Sequence, residues 1–150
     1  MEEINFFSED IDFNLNDEEA IRTWLLEITT SNGYSLDTLN YIFCSDEYLL
    51  KINIEYLAHD TYTDIVTFDN SELAKTIEGD IFISIDRIKE NSTELGTLLE
   101  EELHRVMAHG LLHLLGQGDK LPSEKIEMTS REDLCLDLRG QKLISTKRST

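Results

Sequence analysis

A long helical segment in the C-terminal half constrains this chain more than any other feature. Residues from about Thr97 to Leu115 predict one helix, and Gly116-Gln117-Gly118 ends it. Acidic residues at positions 100–102 open the segment, where carboxylates stabilise the positive end of a helix dipole. Within this helix, Glu102 is also a candidate base near the functional face. We therefore expect a long central helix that carries the functional residues described below.

The rest of the sequence mixes helices and strands without regular alternation. Further helices are predicted from about Asp17, after Ser45, over Asp86 to Glu94, and up to Leu138, with Asn16, Ser45 and Ser123 as caps. Strands are predicted over Leu39 to Cys44, Asp64 to Phe68 and Asp80 to Ile85, the last two as neighbours, with another around Ile11 to Leu15. We expect residues 1–150 to form a single α+β domain in which helices pack on a small mixed sheet.

The cysteines and the apolar segments of the sequence indicate in which cellular compartment the protein works. Cys44 and Cys135 lie among apolar residues without ligand or redox spacing, which predicts two buried thiols in a reducing compartment. The start, Met-Glu-Glu-Ile, lacks the basic and then apolar pattern of a signal peptide, and no apolar stretch has the length of a membrane span. We expect a cytoplasmic protein with no membrane partner and no nucleotide cofactor.

The net charge is strongly negative. Asp and Glu number 31 against 13 Lys and Arg, which gives a formal charge of -18. Such a charge repels nucleic-acid phosphates at long range, so charge alone argues against a nucleic-acid ligand.

Histidines on the long helix suggest a metal site. His109 and His113 are four residues apart and therefore share one helical face, while Gly116 allows a sharp turn that can bring Asp119 back towards them. This set leaves coordination positions open for water, as catalytic zinc sites do. His104 lies about 140° around the helix from His109, which favours packing, capping or support of a ligand over direct metal binding.

The spacing of this set is that of the metzincin zinc peptidases, whose motif is HExxHxxGxxH. Gly110 stands at the position of the general-base glutamate, and Asp119 stands at the position of the third histidine. Without that glutamate the usual activation of water for peptide cleavage is missing, so the pattern disfavours a peptidase.

The residues from His109 to Asp119, HGLLHLLGQGD, resemble the HGxLHLxGxDH motif of the YbeY metalloproteins. Similar segments occur in the family's order at Asn53 to Tyr56, at Thr63 to Phe68 (TDIVTF) and at Gly79 to Ile81 (GDI). The resemblance implies a single-domain α+β zinc endoribonuclease that matures ribosomal RNA, including the 3′ end of the small-subunit RNA, and acts in ribosome quality control. A metal ion with an open position suits RNA cleavage, because it can deliver hydroxide and stabilise phosphoryl charge.

Two positions differ from the family pattern. Asp119 replaces the third histidine, which favours harder metal ions such as Mn²⁺ more than the family set does. Leu57 stands where the family often has an arginine that is thought to face the substrate. His59, when protonated, or Lys120 could supply the missing cation, although the pattern favours an ordinary exposed residue at each position. Asp64 could form a lip of the substrate cleft or cap its strand.

We therefore expect a single-strand-specific endoribonuclease in which His109, His113 and Asp119 hold one divalent ion, Zn²⁺ in the first place. The catalytic groups would be the metal-bound water and His59. The expected partners are ribosomal RNA and the ribosome, which the acidic surface could contact through ribosomal proteins. Two alternatives stay open, namely a ribosome-associated metalloprotein with mainly a binding role and a metal-dependent hydrolase of a substrate other than RNA.

Overall fold

The computed structural model describes residues 2–59 and 61–139. The elements in chain order are β1 (Glu3–Ser8), α1 (Glu18–Ser31), β2 (Ser35–Cys44), α2 (Asp46–Leu57), β3 (Ile65–Asp69), β4 (Thr76–Ser84), α3 (Ile85–Leu95), α4 (Leu99–Leu114) and α5 (Pro122–Leu138). This is a small α+β fold with a long helix, as the sequence predicts. Within the described ranges, none of the helices has both the length and the apolar character needed to span a membrane.

The four strands form one mixed sheet in the order β1-β2-β4-β3. β1 pairs with β2 and β2 pairs with β4 in parallel, whereas β3 and β4 are antiparallel neighbours. The predicted pairing of the segments that begin at Asp64 and Asp80 is therefore confirmed. β2 begins at Ser35, four residues before the predicted start, because its first residues pair with Thr76 and Ile77 of β4.

The main core lies between one face of the sheet and the helices α1, α3, α4 and α5. Trp24 of α1 donates a hydrogen bond from Nε1 to the carbonyl of Cys135 in α5, at 2.7 Å. Tyr41 of β2 donates a hydrogen bond to the carbonyl of Met107 in α4, at 2.9 Å. Both cysteines are buried free thiols, as expected; Cys135 lies in this core, and Cys44 lies on the opposite face under α2. The hydrogen bond from Tyr41 and the shared core thus hold α4 against the sheet.

The predicted strand at residues 11–15 is wrong, and the first strand lies upstream at Glu3–Ser8. Ile11, Phe13 and Leu15 alternate with polar residues and do pack against the core, and the Phe13 ring lies 5.1 Å from that of Phe43. Their backbone does not join the sheet, because β1 pairs with the edge of β2 instead. Alternation here reflects one-sided burial rather than strand pairing.

Two of the three predicted helix caps are also wrong. α1 is preceded by Asp17, in a left-handed conformation and without a side-chain cap, and Glu19 instead accepts a hydrogen bond from Arg22 at 2.6 Å. α5 begins at Pro122, one residue before the predicted cap Ser123. A carboxylate oxygen of Glu124 reaches back to the backbone N–H of Leu121, at 3.1 Å.

The predicted cap of α2 is confirmed. The side chain of Ser45 accepts a hydrogen bond from the backbone N–H of Tyr48, at 3.1 Å. Ser45 itself has the extended backbone conformation typical of a helix N-cap.

α4 crosses the sheet at a very short distance, and two glycines make this approach possible. A Cβ atom on Gly110 would lie 2.8 Å from Cδ1 of Ile65 and 3.0 Å from Cγ2 of Ile81. A Cβ atom on Gly79 would lie 2.6 Å from the carbonyl oxygen of Phe68 and 3.1 Å from Cδ1 of Leu114. Because Gly110 faces β3 and β4, a larger side chain at this position must displace the side chains of Ile65 and Ile81.

The Gly110→Glu variant should therefore lose stability, by about 2–4 kcal/mol, because it forces volume and a charge into packed apolar surroundings. Thr129→Glu, at an exposed position of α5, adds the same charge and should leave stability nearly unchanged. Urea unfolding followed by circular dichroism measures both variants. An equal midpoint for wild type and Gly110→Glu would contradict the close packing of α4 on the sheet.

Candidate metal centre

Two histidines project from the C-terminal end of α4. His109 and His113 lie one turn apart, their ring centroids are 4.6 Å apart, and their Nε2 atoms are 3.1 Å apart. Both side chains are partly exposed, while the opposite side of the helix is buried in the core. The amphipathic pattern of α4 therefore aims both Nε2 atoms at one point on the surface.

The chain after α4 turns back and brings a carboxylate to the same point. Gly116 has a φ of 95°, and the N–H of Gln117 donates a hydrogen bond to the carbonyl of Leu112 at 2.9 Å. Oδ2 of Asp119 lies 3.3 Å from Nε2 of His109 and 3.3 Å from Nε2 of His113. The structure thus brings together all three residues that the sequence predicts as metal ligands.

The spacing of these three atoms suits a metal ion. In tetrahedral sites with metal–ligand bonds of about 2.0–2.2 Å, the donor atoms lie about 3.3–3.6 Å apart. The distances of 3.1, 3.3 and 3.3 Å are at or just below this range. Two imidazoles and a carboxylate are ligands that zinc and related divalent ions accept. His109, His113 and Asp119 could therefore hold a metal ion.

A further carboxylate contacts the site from α5. Oε2 of Glu132 lies 2.6 Å from Nδ1 of His109, and Nη1 of Arg105 donates a hydrogen bond to Oε1 of Glu132 at 2.8 Å. The other arm of Arg105 pairs with Asp133 at 2.6 Å. The sequence prediction missed Glu132 and Arg105, because Glu132 lies 23 residues after His109 on another helix and no local spacing connects them.

A cavity of about 330 Å³ adjoins His109 and Asp119. Its lining includes Asp64, Glu102, Arg105 and Glu132. Burial raises the pKa of the Asp64 carboxyl, against its own backbone hydrogen bond and the nearby positive charges. Burial, together with the charge of Asp64, also raises the pKa of Glu102. The wall of this cavity therefore carries two carboxyl groups that hold a proton more tightly than exposed carboxyls do.

Opposing effects set the pKa of His109. Burial lowers it, but the hydrogen bond and charge of Glu132, with the charges of Asp119 and Asp64, outweigh burial and leave the pKa raised. Without a metal ion the acidic surroundings therefore favour the protonated imidazole. The same negative charges would favour a bound cation in place of the proton.

The other histidines singled out by the sequence lie elsewhere. His104 is 3% exposed, packs against Trp24, and its Nδ1 lies 2.8 Å from Nη1 of Arg139, so it belongs to the core, as predicted, rather than to the metal ligands. His59 lies in the exposed segment after α2, and Lys120 follows Asp119 in an exposed turn. Neither is among the described residues that line the cavity, and a catalytic role for His59 stays a prediction.

Fold and site together define a small α+β protein with a His-His-Asp centre at the end of a helix that crosses a mixed sheet. The family model described as Endoribonuclease YbeY matches residues 3–139. Endoribonuclease YbeY of Cytophaga hutchinsonii is 56% identical over 138 residues, which cover 92% of this chain and 96% of that protein. Endoribonuclease YbeY of Christiangramia forsetii is 50% identical over 131 residues, covering 87% and 90%. The chain belongs to the YbeY family.

A solved structure shows the same fold. The solution structure of TM1509 from Thermotoga maritima matches with a TM-score of 0.66 and 22% identity, over 98% of this chain and 95% of that one. At this identity the likeness shows the architecture alone.

Removing the charge of Asp64 should stabilise the metal-free protein. A carboxyl whose pKa is raised on folding contributes stability below the pKa of the unfolded chain, about 3.9, and loses it as the pH rises. Asp64→Asn keeps an oxygen acceptor without a titrating proton. In the presence of a chelator its melting temperature should exceed that of wild type at pH 7–8, with little difference near pH 4. A lower melting temperature for Asp64→Asn at pH 7–8 would contradict the unfavourable burial of this carboxylate.

Proposed function

We propose that this chain is a metal-dependent endoribonuclease that cleaves single-stranded RNA. The observation that carries the proposal is the triangle of Nε2 of His109, Nε2 of His113 and Oδ2 of Asp119, which opens beside a cavity in a chain of the YbeY family. The relatives named above are called endoribonucleases, which supports RNA as the substrate. We further propose that residues 1–150 act as one YbeY-like metalloprotein domain.

We propose His109, His113 and Asp119 as the ligands of one divalent ion, Zn²⁺ in the first place. Such an ion supplies Lewis acidity beside the scissile phosphodiester. Asp119 adds a negative charge that a third histidine would not, so the site also suits harder ions such as Mn²⁺. The partial exposure of all three side chains leaves room for a substrate to approach.

Residues other than the three proposed ligands take the remaining tasks in this proposal. The carboxyl groups of Asp64 and Glu102 on the wall, whose pKa burial raises, are the proposed proton donors to the leaving oxygen of the RNA. His59 and Lys120 are the proposed donors to phosphate in place of the family arginine, which is Leu57 here. Both lie in exposed segments, where RNA can contact them without entering the core.

The proposed setting is the cytoplasm, with maturation of ribosomal RNA as the process, including the 3′ end of the small-subunit RNA and ribosome quality control. The charge of -18 supports docking to the ribosome through basic ribosomal proteins, because an acidic surface attracts basic proteins and repels bare RNA. The same charge favours the second candidate function, a ribosome-associated metalloprotein with mainly a binding role.

Metal content and RNA cleavage, measured on the same samples, test the proposal. Wild type should carry about one metal ion per chain by elemental analysis and cleave single-stranded RNA. His113→Ala and Asp119→Ala should lose both properties, since each removes a ligand from a three-ligand site. Asp137→Ala, which removes the same charge from an exposed position of α5, should keep both.

Chelation separates the two candidate functions. The core of this fold is built from apolar side chains away from the three ligands, so the metal-free protein should keep its helical circular dichroism while it loses cleavage. Unfolding on chelation would favour a structural metal. Wild type that binds metal but leaves RNA intact would reject the nuclease.

His59 can be tested on the same substrate. If it contacts phosphate, His59→Ala should keep the metal and raise KM for single-stranded RNA about tenfold, which corresponds to the loss of one charge-assisted hydrogen bond worth roughly 1.4 kcal/mol. Steady-state cleavage kinetics give KM and kcat separately. Unchanged KM and kcat would remove His59 from the proposed site.

A further inference from the structure

The two ring nitrogens of His109 face different carboxylates. Nε2 lies in the ligand triangle, 3.3 Å from Oδ2 of Asp119, whereas Nδ1 lies 2.6 Å from Oε2 of Glu132. Neutral imidazole carries one proton, and the nitrogen that binds a metal must be the other one. Glu132 is the closer of the two carboxylates, so the contact at Nδ1 favours the proton there and leaves Nε2 free to bind.

Glu132 is held in place on both of its oxygens. Oε2 faces His109, and Oε1 accepts the hydrogen bond from Nη1 of Arg105 at 2.8 Å. The Glu132 side chain is only 9% exposed, which is rare for a glutamate unless it is paired. Nη2 of Arg105 donates a hydrogen bond to Oδ1 of Asp133, at 2.6 Å. Arg105 thus keeps the carboxylate oriented towards His109.

Helix geometry makes this arrangement rigid. Arg105 and His109 are four residues apart on α4 and so lie on one face, against which α5 presents Glu132. Hydrogen bonds hold α5 in place on both sides of Glu132. On one side, Trp24 donates a hydrogen bond to the carbonyl of Cys135. On the other side, Arg131 donates a hydrogen bond to Oε1 of Gln117 at 2.7 Å. The carboxylate therefore approaches His109 from a backbone that cannot shift freely.

We propose that Glu132 is a positioning residue of the metal centre, which accepts the Nδ1 proton of His109 and so directs the Nε2 lone pair at the metal, while Arg105 holds Glu132 in this orientation. The inference rests on the metal site of the proposed function. It adds a role for α5, which supplies no ligand to the triangle. Partners of this kind at metal-binding histidines commonly change metal affinity by about 10- to 100-fold.

Zinc affinity tests this role without any activity assay. Metal-free protein is titrated with Zn²⁺ in competition with a chromophoric chelator. Glu132→Ala should bind zinc about 10- to 100-fold more weakly than wild type. Glu132→Gln should recover part of the loss, because its amide oxygen can still accept the Nδ1 proton. Glu127→Ala and Glu127→Gln, at an exposed position of the same helix, should bind like wild type.

The tautomer of His109 gives a second readout that a merely structural role would not move. Nitrogen-15 NMR at a pH where the imidazole is neutral should show the proton on Nδ1 in wild type and in Glu132→Gln, and a mixture of tautomers in Glu132→Ala. If Glu132→Ala fails to fold by circular dichroism, Glu132→Gln carries the test, with an expected loss of at least threefold in zinc affinity through the broken pair with Arg105.

The outcomes separate this inference from the proposed function. Wild type that binds no Zn²⁺ overturns both. Wild type that binds Zn²⁺, with folded Glu132 variants within twofold of its affinity and with the same His109 tautomer, overturns the role of Glu132 alone. Weaker binding in both Glu132 variants but not in the Glu127 variants, with a changed tautomer in Glu132→Ala, supports it.

Discussion

The candidate metal centre depends on the close contact between α4 and the sheet. Gly110 allows the helix to lie directly on Ile65 and Ile81, and Gly79 allows its last turn to lie on β4. A helix held at this distance cannot rotate without a clash, because protein interiors are close-packed and leave no space for a shifted side chain. The outward face of the same helix carries His109 and His113, so packing on one side fixes the direction of the imidazoles on the other.

The position of Asp119, the third proposed ligand, depends on a second contact, between the turn after α4 and α5. Gly116 reverses the chain, and Arg131 of α5 donates hydrogen bonds to Gln117 in that turn and to Asn32 after α1. Asp119 is thereby held opposite two residues of the preceding helix. Arg131 thus connects α5 with the turn after α4 and with the end of α1, through hydrogen bonds to two uncharged side chains.

The charge distribution around the candidate metal centre is set by several acidic side chains that are buried near His109. Asp64, Glu102 and Glu132 line one cavity together with Arg105, and the pKa values of Asp64 and Glu102 are raised because burial penalises their charged forms. A divalent cation held by His109, His113 and Asp119, as we propose, would offset the negative charge of these carboxyl groups. The acidic cavity therefore suits a metal ion better than it suits bare phosphate.

The sequence by itself determined the features that depend on local spacing. The interval between His109 and His113 and the helix break at Gly116 both predict what the structure shows, because the helix period acts over a few residues. The same local logic failed at residues 11–15, where alternation marks side chains packed on a core but no strand.

Only the tertiary structure decided the strand order, the contact of Gly110 with β3 and β4, and the approach of Glu132 to His109. These depend on which surfaces meet after the chain has folded. No periodicity connects residues on separate helices, and an acidic residue in a chain of net charge -18 does not stand out until its burial and its partners are known.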